Sequence, residues 1–144
     1  MTETAQNWQN SKRLLQIAVA AGGGVPVFAG LAGAVLGLDM LGGSSTADVT
    51  LASHFQYLSG ILLAIGLGFW STIGSIELKS ARFTLLTALV VVGGLARLWS
   101  WVHFGFPGLP MMLALVMELG VTPALALWQW RVAKAANKLN LRGG

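Results

Sequence analysis

Apolar residues gather in four stretches along this chain, 14–38, 51–73, 83–103 and 109–130, separated by "DMLGGSSTADVT", "GSIELKSAR" and "FGFPG". A membrane-spanning helix needs about 20 predominantly apolar residues, and each stretch meets that length. The separators are short and rich in glycine, proline or polar residues, as turns are. Short turns make successive helices antiparallel neighbours. The pattern therefore predicts an all-α integral membrane protein, one domain over 1–144, with four transmembrane helices in an up-down bundle. The first apolar run continues past "AVA" at 18–20 to Leu38, too long for a signal-peptide h-region. An uncleaved first span is expected.

Small residues within the spans predict where helices touch, because lipid gives them no hydrophobic reason to associate and close backbone approach must do so. Ala29, Gly33 and Gly37 recur at four-residue spacing after Gly22, Gly23 and Gly24, and the second span carries Gly60, Ala64 and Gly68. Gly93 and Gly94 stand one turn before Arg97. Gly33, Gly37, Gly60, Gly93 and Gly94 are the expected contact positions, within the bundle or against another subunit. Pro107 and Pro110 suit the start of the fourth helix, where no N–H is needed. Pro26 and Pro123 fall inside spans, and each removes one helical hydrogen bond.

Composition agrees: 55% of residues are hydrophobic and 10% charged, against about 25% charged in an ordinary soluble domain. Mean hydropathy is +0.70. The absence of cysteine excludes disulfides, thiol catalysis and thiolate metal sites together.

Charge then sets direction. Lys12 and Arg13 precede the first span, Lys79 and Arg82 lie in the second loop, and Arg131, Lys134, Lys138 and Arg142 follow the fourth. The first and third loops hold no Lys or Arg, and the first carries Asp39 and Asp48. By the positive-inside rule both termini and the middle loop are cytoplasmic. The helically spaced cations of "RVAKAANKLNLR" predict a tail lying on the anionic leaflet. Trp8, Trp70, Trp128 and Trp130 fall at the cytoplasmic border and Trp99 and Trp101 at the outer one, as interfacial belts do.

Only Arg97 among the cations is left without an orientation role. An arginine at the centre of a membrane helix costs about 2.5–3.5 kcal/mol on insertion scales. At a rise of about 1.5 Å per residue, Arg97 lies about 10 Å below the outer end of the third span, Glu118 about 13 Å down the fourth and Tyr57 about 9 Å down the second. His54 is one turn shallower, and Gln56, Ser59 and Ser100 add polar character to the same layer. Glu118 is the expected partner of Arg97. His54, Tyr57, Ser59, Arg97, Ser100 and Glu118 form the candidate ligand-binding set, and His103 is expected to meet headgroups. The inner half of the spans offers little comparable.

Other chemistry finds no support. No HxxxH or HxxE spacing puts two ligands on one helical face, and phosphate-loop, dinucleotide and nucleophile-elbow motifs are absent. No metal, no cofactor and no nucleic-acid partner is expected, and no catalytic residue can be assigned. Four-span exporters that work as antiparallel pairs need weak orientation bias, which the one-sided basic residues contradict.

"SHFQYLSGILLAIGLGF", "VVGGLARLWSWVHFGFP" and "LALVMELGVTPALALW" together resemble the DUF4345 family of small bacterial membrane proteins. The shared pattern joins His54, Tyr57, Ser59 and Gly60, then Gly93, Gly94, Arg97, Ser100, Gly105 and Pro107, then an intramembrane Glu118. Gln56 stands where members commonly carry Arg. The resemblance implies a four-span protein of the bacterial inner membrane with this polar cluster, and no activity. The expected function is capture of a small amphipathic or lipid-like ligand in the outer leaflet. The alternative is an accessory subunit that packs on other membrane protein subunits through its glycine-rich faces.

Overall fold

The computed structural model describes residues 3–41 and 48–140, and all regular structure among them is helical. The elements are α1 (Glu3–Leu36), α2 (Val49–Trp70), α3 (Ser80–Phe104), α4 (Leu109–Val116) and α5 (Thr122–Asn140). A π-helical turn, Met117–Val121, joins α4 to α5. Four helical runs are long and apolar enough to cross a membrane: Ala5–Met40, Val49–Ser75, Ser80–Phe104 and Leu109–Leu139. Each contains one of the four apolar stretches of the sequence. Large side chains such as Leu31, Val35, Leu58, Leu89, Val92 and Leu113 are exposed along all four, a surface far more apolar than water tolerates on a monomer.

Local chemistry explains the ends. Asp48 caps α2, its carboxylate accepting from the Thr50 N–H at 2.9 Å, as an N-cap acid does. Beyond α1 the chain turns at Gly37 with φ +59°, the left-handed conformation that favours glycine after a helix. α1 starts well before the apolar run predicts, because the polar segment from Glu3 to Arg13 is helical too. At 34 residues it is about 50 Å long by its rise, longer than the roughly 30 Å of hydrocarbon it needs to cross.

The described chain forms two compact units, one of residues 19–73 and one of residues 1–18 with 74–144. The first is an antiparallel hairpin of α1 and α2 closed by small residues. A Cβ at Gly30 would lie 2.5 Å from the Leu63 nitrogen and 2.8 Å from its Cα, and one at Gly66 would lie 2.7 Å from Val27 Cγ2. Gly33 meets Ser59, Gly37 meets Gln56, and Gly23 meets the Trp70 ring. Trp70 Nε1 donates to the Ala20 carbonyl at 3.0 Å, and Gln56 Nε2 to the Ala34 carbonyl at 3.4 Å. Trp70 thus joins two helices. Gly60 and Gly93, expected at contacts, have no atom of the described residues within 4 Å of a Cβ position.

In the second unit α3 packs on α4, the π turn and α5, and the start of α1 packs on α5. Trp8 Nε1 donates to the Val132 carbonyl at 3.1 Å, and Trp128 Nε1 to Ser11 Oγ at 3.0 Å. Among the described residues the basic tail is helical to Asn140. It continues α5 unbroken past Trp130, because the polar start of α1 gives it a partner. Lys12 binds Glu77 at 2.8 Å, so this cation has a partner within the chain.

Gln129, 2% exposed, donates to the Ile76 carbonyl and to Ser80 Oγ, both at 2.8 Å. One amide thus fastens the loop between α2 and α3 to α5. Replacing Gln129 by Leu leaves the buried Ile76 carbonyl without this donor. Such a loss costs about 1–3 kcal/mol, readable as a lowered midpoint of thermal unfolding in detergent.

Candidate functional site

The turn between α3 and α4 decides which residues meet. α3 stops at Gly105, whose φ of +99° favours glycine. Pro110 sits in the first turn of α4, where a missing N–H costs nothing. The reversal is tight, so residues equally distant from it come level. Arg97 and Glu118 are such a pair.

Their side chains form a fork. Arg97 Nε donates to Glu118 Oε2 and Nη2 to Oε1, both at 3.0 Å. Paired parallel bonds of this kind fix geometry as well as charge. Nη1 donates to Met111 Sδ at 2.7 Å. Met111 is seven residues before Glu118, two turns back on nearly the same helix face. Gly94 makes the approach possible: a Cβ there would lie 2.9 Å from Glu118 Cβ and 2.8 Å from Leu119 Cδ2.

Glu118 itself lies in the π turn. Pro123 has no N–H, and its ring crowds the carbonyl four residues back. A widened turn before it relieves that crowding, and such turns recur at functional sites. Thr122 holds the turn open, its N–H and its hydroxyl both donating to the Met117 carbonyl, the hydroxyl at 2.8 Å.

A guanidinium has five N–H donors. Three are used by Glu118 and Met111, which leaves two without a partner among the described residues. The Arg97 side chain is 34% exposed and that of Glu118 18%. Two open donors on a fixed cation, within an apolar span, can donate to a carbonyl, carboxylate or phosphate oxygen.

The other members of the sequence set are placed differently. Ser100 is exposed one turn beyond Arg97 on α3, and the hydrogen bonds of Arg97 go elsewhere. His54 and Tyr57 are exposed on α2, in the other compact unit. Ser59, grouped by sequence with the ligand-facing residues, is instead 8% exposed and turned into the α1–α2 seam. Its hydroxyl donates to the Phe55 carbonyl at 2.8 Å. His103 stacks on Trp99 with ring centroids 4.0 Å apart, and its Nδ1 lies 2.9 Å from the Trp99 carbonyl. A carbonyl only accepts, so Nδ1 carries the proton and Nε2 stays open. Asp39 is exposed in the 3-10 turn after α1.

Sequence reasoning passed over Met111, Glu77 and Gln129. Gln129 does leave a signal, an amide in an apolar run between Trp128 and Trp130. Met111 leaves none, since a thioether near a helix start looks like any lipid-facing residue.

Comparison with known proteins adds a family. The family model described as a domain of unknown function, DUF4345, matches residues 14–129. No curated protein and no solved structure matches the chain.

Proposed function

The chain belongs to the DUF4345 family, and from that premise we propose that it captures the polar end of an amphipathic, lipid-like ligand at Arg97. In this reading it is a multi-pass protein of the bacterial inner membrane. The four spans run up and down, with both termini in the cytoplasm. The one-sided distribution of Lys and Arg outside Arg97 supports that direction. The ligand enters from the outer leaflet. Arg97 binds its anionic or carbonyl oxygen, Glu118 holds the guanidinium in place, and Ser100 offers one further hydroxyl.

The observation that carries this reading is the pair of N–H donors left open on Arg97. Donors left without a partner inside an apolar span favour an occupant that brings an oxygen to them, and ionisable groups in membrane spans mark ligand or ion paths by default. The test compares the native chain with Arg97→Met/Glu118→Leu, purified in the same mild detergent. Mass spectrometry of the extracts is expected to show an amphipathic species that the double variant loses. Equal content in both proteins would overturn the proposal.

A second reading has its own support. Gly60 and Gly93 leave backbone open on α2 and α3 with nothing of the described chain against it, which suits an accessory subunit docking on a larger complex. Gentle extraction at native expression separates the two. Migration as a free monomer counts against the subunit, and migration within a larger assembly counts for it.

A further inference from the structure

The basic end of the second unit holds a groove that the Arg97 site does not involve. It lies between the start of α1 and the end of α5 and encloses about 570 Å³, within the roughly 300–1,000 Å³ typical of small-molecule sites. Trp8 and Trp128 form its walls. Both indole N–H groups are spent internally, on the Val132 carbonyl and Ser11 Oγ. The two rings are therefore fixed in orientation and offer carbon to an occupant. Val132 and Leu139 add apolar lining.

Arg131 and Lys138 also line the groove. They stand seven residues apart, two turns along one face of α5, about 10 Å by the helical rise. Both are exposed. Neither makes an ion pair or a side-chain hydrogen bond among the described residues. The other cations of this end are engaged or lie outside: Lys12 is held by Glu77, and Lys134 lies over the Trp130 ring at 4.8 Å. Among the described residues no acidic side chain lines the groove.

Rigid apolar walls with two unneutralised cations fit an occupant that is apolar at one end and anionic at the other. Tryptophans of this kind mark the membrane interface, and basic pockets between helices there bind phosphate headgroups. We infer that the groove between α1 and α5 binds one anionic glycerophospholipid, its phosphate on Arg131 and Lys138 and its glycerol and upper acyl chain along Trp8 and Trp128. The site is separate from Arg97 and holds a resident lipid of the leaflet at the basic end.

The test titrates the full-length protein in detergent with phosphatidylglycerol or with phosphatidylcholine of the same chains, reading bound lipid by native mass spectrometry. One molecule of phosphatidylglycerol is expected to bind, at least about tenfold more tightly than phosphatidylcholine. Arg131→Gln/Lys138→Gln weakens phosphatidylglycerol by roughly fivefold for each cation removed. Arg13→Gln/Lys134→Gln removes the same charge from outside the groove and changes binding by less than about twofold. Arg97→Met/Glu118→Leu leaves it unchanged, which separates this lipid from the ligand proposed for Arg97. Equal losses in the Arg131/Lys138 and Arg13/Lys134 variants would reduce the effect to diffuse charge and overturn the site. So would equal affinity for the two lipids.

Discussion

Glu118→Leu alone is expected to lower the free energy of unfolding by about 3–5 kcal/mol, while Arg97→Met/Glu118→Leu stays within about 1.5 kcal/mol of the parent chain. The single change removes both oxygens of the fork and leaves a permanent cation with only a thioether for company. Water cannot replace the carboxylate inside hydrocarbon, so the guanidinium must be pulled toward the interface or the helices must part. The double change removes the charge together with its partner and fills the space with side chains of similar bulk. Denaturation in bicelles, with helicity as the signal, gives both numbers. Arg97→Lys is a useful third case, since an ammonium keeps the charge but loses the planar fork. If the single and double variants were equally unstable, the pair would not be what compensates Arg97.

The second large effect is in the α1–α2 hairpin. Gly30→Ala sets a methyl group 2.5 Å from the Leu63 nitrogen and 2.8 Å from the Ser59 carbonyl oxygen. These are backbone atoms, which no rotamer change can move aside. Overpacking of this kind costs about 1–3 kcal/mol, partly masked by the up to about 1 kcal/mol that alanine gains over glycine in a helix. Gly60→Ala has the same propensity gain and open space around it, so it should be neutral or stabilising. Thermal unfolding of the two variants in one detergent makes the comparison. Gly30→Ala no less stable than Gly60→Ala would mean that the helices do not meet at this seam.

That contrast also shows what the sequence could reveal. The four spans were legible because lipid demands long apolar runs, and the Arg97–Glu118 pair because a tight turn brings equidistant residues level. The seam was only half legible. The first two spans contain so many small residues that spacing alone cannot choose a face, and the one used runs through Gly23, Gly30, Gly33 and Gly66 and leaves Gly60 out. The same ambiguity of phase hid the place of Ser59 in that seam. The contacts of the basic end were hidden for another reason. Lys12 and Glu77 are 65 residues apart, and nothing local distinguishes a paired lysine from one that merely orients the chain.

The division of the chain has a consequence for how the protein is made. Residues 19–73 are one uninterrupted segment, so their hairpin can close as soon as it leaves the ribosome, ahead of everything downstream. The opening residues cannot do the same. Trp8 finds its acceptor 124 positions later and Ser11 its indole donor 117 positions later. The segment that carries Trp8 and Ser11 must therefore stay without these partners until α5 has been made to receive it.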